Sequence, residues 1–333
     1  MTIATEAPAH PRLLSPGFVS GLVLSVLVLT LLFTIGDLRM SIVLIKQFPM
    51  GQVAGIVGLL LGYEVTRFIQ WYVFARKLRV PVTWQELLFS FAGGEATKSL
   101  PAGNYFQNYL LGRIGGIDAA YSAAATTTII WLEVCAALMT LLVLGVPGWE
   151  WLTPVCTILL GGIAYVVTVI ARRRRGAVHP EWLAKRRPGR WVLERTDEFL
   201  QGAQALLQPG TLVIGLALSF IYLLLAALAF RLVLEGVGVT NASVHQGIVT
   251  YMAGLAAGLI LPIPVDLGVA ELGALGVLLA LGIGRDAALA SVLVNRMAGI
   301  VTGLVVALIV GVSLPAQWHA VFRERRRRST PPL

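Results

Sequence analysis

Long apolar runs with almost no charge recur along this chain, and they decide what it can fold into. They cover residues 18–35, 53–74, 119–144, 154–170, 212–234 and 287–312. A helix needs roughly 20 apolar residues to cross the hydrocarbon core of a bilayer, and each run is close to that length. In that solvent every backbone N–H and C=O must find its partner inside the protein, which helices achieve on their own. Composition agrees: of 333 residues, 57% are hydrophobic and only 13% charged, whereas soluble domains carry about a quarter charged residues. The predicted fold is all-α, a polytopic transmembrane helix bundle.

The net charge of +9 is not spread evenly. It gathers at Arg76, Lys77 and Arg79, at the arginines of 172–175, at the basic residues of 185–187, and at the arginines of 323 and 325–328. Basic loops flanking apolar spans mark the cytoplasmic side, and they also attract anionic lipid headgroups. No nucleic-acid-binding motif accompanies them, so nucleic acid is not an expected partner. Cys135 and Cys156 both fall inside apolar runs and imply neither a disulfide framework nor a metal site. His10, His179, His245 and His319 fit no metal-ligand spacing, and no phosphate-binding loop occurs. No cofactor and no metal are therefore expected. The run at 18–35 lacks a small-residue cleavage pattern and reads as a retained span.

Two further apolar stretches break in the same way. One reads Gly93-Gly-Glu-Ala-Thr-Lys-Ser-Leu-Pro-Ala-Gly-Asn104, the other Gly258-Leu-Ile-Leu-Pro-Ile-Pro-Val-Asp-Leu-Gly268. Proline removes a backbone donor and glycine loosens the helix, so Pro101 and Gly103, and likewise Pro262, Pro264 and Gly268, predict sharp bends. If all basic clusters face the cytoplasm, about six full spans suffice only when each broken segment enters and leaves on one side. The first (84–111) then dips in from the cytoplasm and the second (246–281) from outside. Span, re-entrant helical hairpin, span occurs twice with opposite orientation, which is an inverted repeat and points to a binding site near the midplane.

The organisation that follows is a cytoplasmic tail (1–17), a membrane half (18–171), a basic cytoplasmic loop (172–209), a second membrane half (210–313) and a basic cytoplasmic tail (314–333). Residues 37–50 read as an interfacial stretch, 194–199 as part of a surface helix, and Trp149 and Trp151 as an aromatic belt. A multi-pass protein of the plasma membrane, of the kind found in a bacterial inner membrane, is expected, with both termini cytoplasmic.

Ionisable residues inside spans cost about 2.5–3.5 kcal/mol each on insertion scales, so each needs a reason. Glu64 and Arg67 are three apart and share a helix face, as do Glu95 and Lys98. Each pair is either self-neutralising or part of a cavity wall. Lys98 precedes Pro101, and a half-helix starting near Asn104 would turn its free N–H groups toward the midplane, where an anion is favoured. Lys98, Asn104 and those amides would suit a phosphate. Asp266 and Glu271 flank Gly268 at the start of the other half-helix. They either cap that helix or hold a cationic group or a proton opposite Arg296. Aligning Pro101 with Pro262 brings Glu133 close to the counterpart of Asn295 and Arg296; Glu133 and Arg296 could pair across the pseudo-symmetry axis, and a pairing of some kind is expected because buried charges seldom stay unpaired. Thr126, Thr127 and Thr128 are expected to bond helix backbone or to pack between helices.

At the two breaks the sequence is similar to a known family. The stretch Leu100-Pro101-Ala-Gly103-Asn104-Tyr-Phe-Gln107-Asn-Tyr109-Leu-Leu-Gly112-Arg113, and Pro264-Val-Asp266-Leu-Gly268-Val-Ala-Glu271 followed by Arg296, resemble the flippase-like family related to the transmembrane region of lysylphosphatidylglycerol synthase. Asn104 and Gln107 stand where that family often has an acid and an arginine, and Asp266 replaces a glycine. The resemblance implies movement of a lipid or lipid-linked headgroup between leaflets, with membrane lipids as partners. Lys98 and Arg296 would then meet the phosphate, and Glu133, Asp266 and Glu271 a cation, sugar hydroxyls or a coupling proton. The soluble aminoacyl-transferase domain of lysyl-lipid synthases has no counterpart here, so a transporter is expected and not an enzyme. Two rivals are a secondary transporter for a small soluble solute and a non-transporting membrane partner of a lipid-modifying enzyme. The oligomeric state is left open.

Overall fold

The computed structural model describes residues 38–98, 103–146, 148–172, 187–260 and 268–317. The run at 18–35, the N-terminal tail, the C-terminal tail beyond 317, Pro101, Pro262, Pro264 and Asp266 lie outside the described residues. The described residues are helical with short connections: α1 (Leu38–Lys46), α2 (Met50–Lys77), α3 (Trp84–Thr97), a 3-10 turn (Gly103–Tyr105), α4 (Phe106–Gly115), α5 (Ala119–Leu144), α6 (Leu152–Arg172), α7 (Arg187–Leu206), α8 (Pro209–Gly236), α9 (Val244–Ile260), α10 (Val269–Ala280) and α11 (Arg285–Ser313). Helices α2, α5, α6, α8 and α11 are long and apolar enough to cross a membrane, and they coincide with five of the predicted runs.

These helices carry their polarity inside out. On α2, Val57, Leu61, Val65 and Ile69 form an exposed stripe at four-residue spacing, while Glu64 and Gln70 are buried beside Leu60, Trp71 and Phe74. Water would favour the reverse. In hydrocarbon the apolar stripe faces lipid and the charges turn into the bundle.

The remaining membrane helices are short. α3 has 14 residues, α4 10, α9 17 and α10 12. At 1.5 Å per residue each rises less than the roughly 30 Å of a bilayer core. They pair as antiparallel hairpins whose close approach depends on small residues. Gly93 meets Leu110 and Phe106, and Gly94 meets Gln107; in the second hairpin Gly254 and Gly258 lie against Ala270, and Gly273 against Ala257. Such contacts let helices approach when no hydrophobic effect drives them together.

The outer ends of α3 and α4 lie at the end of the bundle that carries Arg76, Lys77, Arg79 and Arg172. There Tyr121 Oη donates to Leu78 O, Gln204 Nε2 donates to Ile170 O, and Arg195 pairs with Asp118. Val310 and Leu314, at the C-terminal end of α11, pack there against Phe89, Leu110 and Ile114. The opposite end carries the stacked Trp149 and Trp151 and the contact of His245, at the start of α9, with Leu144 O.

Aligned on the two Leu-Pro steps, α2 to α5 fall in step with α8 to α11, and their contacts match under the exchange. α2 packs on α8, α3 on α11 as α9 on α5, α4 on α5 as α10 on α11, and α2 on α11 as α8 on α5.

Asp118 has two tasks. Its carboxylate accepts from Ala120 N–H (2.7 Å), capping α5, and it holds Arg195 of the surface helix α7. Asp118→Ala should cost about 1 kcal/mol through the lost cap. Hydrogen exchange should quicken in α7 and in the first turn of α5, with α9–α10 unchanged.

Candidate functional site

The inner ends of both hairpins meet at a cavity of about 190 Å³, lined by α2, α8, α9, α10 and α11 together with Lys98, Asn104 and Glu133. Its charged groups come from helix positions that the apolar stripes force inward. On the first-half side they form a chain of alternating sign. Lys98 Nζ lies 3.1 Å from Glu64 Oε1 and 2.6 Å from Glu95 Oε2; Arg67 Nη1 is 2.6 Å from Glu95 Oε1, and Arg67 Nε is 3.3 Å from Glu133 Oε1. Tyr222 Oη donates to the same Glu133 oxygen (2.9 Å). Arg67 and Lys98 each lie 5.8 Å from the Tyr63 ring centroid, within cation–π range. Gly303 on α11 admits this chain: a β carbon there would sit 3.1 Å from Glu95 O and 3.5 Å from Lys98 Nζ.

The second-half side is simpler. Gly268 has φ +111°, a conformation that favours glycine, and its N–H donates to Glu271 Oε2 (2.7 Å). The other oxygen, Glu271 Oε1, stands 3.4 Å from Arg296 Nε, which makes no hydrogen bond among the described residues. Glu271 thus caps the helix at Gly268 and also faces Arg296. The Arg296 side chain is 24% exposed and its Nε has this one loose contact.

Several expectations change. Glu64 pairs with Lys98, not with Arg67 of its own helix, because Arg67 reaches across to Glu95 and Glu133. The Glu95–Lys98 pair does form, within the larger chain. The Glu133–Arg296 pair does not: Arg67 and Tyr222 saturate Glu133, while Arg296 turns to Glu271 on α10. Lys98 lines the cavity but is already compensated by two carboxylates. Glu95 is buried behind the wall.

Ionisable residues alone did not reveal Tyr63, Tyr222 or the polar relay behind them. Gln70 Nε2 donates to Ser219 Oγ (2.9 Å), which lies 3.3 Å from Tyr222 Oη. The available signal was Gln70, Ser219 and Tyr222 as neutral polar groups within apolar runs.

A family model described as the lysylphosphatidylglycerol synthase TM region matches residues 18–320. The chain belongs to this family. No match was found among curated proteins. In this family member the two departures in the first motif have different surroundings. Asn104 lines the cavity, whereas Gln107 is buried and donates to Thr126 Oγ1 (2.8 Å), as Asn108 does (2.9 Å). Thr126 therefore ties the first hairpin to α5, while Thr128 bonds its own helix backbone at Ala124 O (2.7 Å).

Proposed function

We propose that this integral membrane protein is a transporter that moves the headgroup of a phospholipid or lipid-linked molecule (polyprenyl-phosphate, aminoacyl- or glyco-lipid) between leaflets. The observation that carries this reading is the charged cavity where two short hairpins meet, inside a bundle whose outer faces are apolar. The headgroup occupies the cavity, its phosphate on Arg296 and its polar groups on the carboxylates. The tails stay in lipid along the exposed stripe of α2 (Val57, Leu61, Val65) and the exposed face of α11 (Met297, Val301, Leu304), two of the helices that line the cavity. Those lipid-compatible walls favour a lipid over a soluble solute.

The matched contacts of α2–α5 and α8–α11 support an inverted repeat, with α3–α4 and α9–α10 as re-entrant hairpins from opposite faces and the two halves rocking about the site. The basic end faces the cytoplasm, with both termini on that side of the plasma membrane.

In vesicles containing the purified protein, Arg296→Ala should slow leaflet exchange of a fluorescent phosphatidylglycerol. A charge-assisted hydrogen bond of about 1.5–3 kcal/mol corresponds to roughly a ten- to hundredfold loss. Undiminished exchange in a folded Arg296→Ala protein would remove the phosphate assignment.

A further inference from the structure

The chain Glu64–Lys98–Glu95–Arg67–Glu133 has carboxylates at both ends, three against two cations. Its far end, Glu133, is held by Arg67 and Tyr222. Its near end is not. Glu64 is 3% exposed, lines the cavity, and has Lys98 on Oε1, but its buried Oε2 makes no hydrogen bond among the described residues. The uncompensated charge of the chain therefore falls at its near end, on Glu64 at the cavity wall, whose carboxyl is also repelled by the neighbouring Glu95 carboxylate. Among the described residues, the other groups bordering the cavity leave that charge there. Arg296 on α11 lies against Glu271 on α10, and the tyrosines at 63 and 251 bring no positive charge.

A fully ionised chain in a closed, water-poor cavity leaves one buried charge without a counter-charge, which is costly. A neutral Glu64 removes that cost and keeps the Lys98 contact, since a carbonyl oxygen still accepts from the ammonium. An ionised Glu64 is tolerated only while the cavity is open and wet. Protonation thus favours the closed form and deprotonation the open one.

We propose that Glu64 carries the coupling proton of the transport cycle. Resting on the lipid-translocation reading, this makes a proton gradient its energy source. Oε2 takes a proton from hydronium in the cavity, leaving water, while the site is open to one side. After closure and reopening the O–H bond breaks, and the proton passes to water on the other side. Lys98 keeps its protons throughout.

Two measurements test this. In vesicles of phosphatidylethanolamine and phosphatidylglycerol carrying a fluorescent phosphatidylglycerol, a one-unit pH gradient should shift the probe's leaflet distribution by up to about tenfold for one proton per lipid. A protonophore and Glu64→Gln should each abolish the shift. Catalysed exchange that ignores the gradient would overturn the coupling while leaving lipid translocation standing; absence of catalysed exchange would count against the lipid reading instead. Infrared difference spectra of the purified protein need no lipid substrate. A protonated-carboxyl stretch should be present at neutral pH, lost in Glu64→Gln and enlarged in Lys98→Met, which removes a cation from the chain. Glu235→Gln, at the Arg231 pair outside the cavity, should leave the band in place. If no band responds to Glu64→Gln, Glu64 is ionised and the proposal fails.

Discussion

Replacing Arg67 with leucine is expected to destabilise the folded protein by about 3–5 kcal/mol, the range seen when one partner of a buried ion pair is removed. The size follows from what is left behind. Among the described residues Arg67 is the only group bridging Glu95 and Glu133, which are 5% and 4% exposed. Without it Glu95 keeps Lys98, but Glu133 retains only the Tyr222 hydroxyl. Tyr63 also loses one of the two cations beside its ring. The contacts among α2, α3 and α5 would then enclose repelling carboxylates instead of a neutralised chain. Denaturant unfolding of the purified protein in detergent measures the effect. Adding Glu95→Gln should recover part of the loss, with a coupling of about 0.5–3 kcal/mol between the two sites. A lone Arg67→Leu change within about 0.5 kcal/mol of the starting protein would mean that the charge chain does not hold these helices together.

Much of this architecture can be read from the sequence, because each legible feature has a local physical cause. The apolar runs at 53–74 and 212–234 give α2 and α8, since only a helix satisfies its own backbone over such a length in lipid. The Leu-Pro steps mark where α3 and α9 must stop, and Gly268 marks a backbone turn that its positive φ explains. The inward charges are legible too, because insertion cost alone singles out Glu64, Arg67, Glu95, Lys98, Glu133, Glu271 and Arg296 within apolar sequence.

Their partners are not legible. Spacing of three residues makes Glu64 and Arg67 look like a pair, yet the approach of α3 toward α2 gives each a better partner from another helix. Which partner wins depends on helix rotation and on gaps such as Gly303, and neither leaves a trace in local sequence. For the same reason Lys98 reads as a free anion-binding cation, although two carboxylates already neutralise it and Arg296 is the looser cation. Tyr222 is invisible to a search for charge because a phenol costs little to insert, yet it completes the coordination of Glu133.

Gly103→Ala is expected to reduce leaflet exchange at least tenfold, as a displaced positioning group does. The cause is the turn between α3 and α4. A β carbon at Gly103 would overlap the carbonyl oxygen of Thr97, and backbone cannot swing aside as a flexible side chain can. The two segments are also fastened there, with Thr97 Oγ1 lying 2.9 Å from Gly93 O and 3.1 Å from Gly103 O. Relieving the overlap must spread the hairpin at its inner end, where Lys98 and Asn104 line the cavity. Overpacking of this kind costs about 1–3 kcal/mol, and displacing a positioning group by about 1 Å can cost a hundredfold in rate. Activity should therefore fall further than stability. Gly58→Ala is the matching control, because a β carbon at that helical position meets nothing within 4 Å. There alanine should leave exchange unchanged and stabilise the helix by roughly 0.5–1 kcal/mol. If Gly103→Ala transports as well as Gly58→Ala, the inner end of the first hairpin does not position the site, and translocation must run through the Arg296–Glu271 side alone.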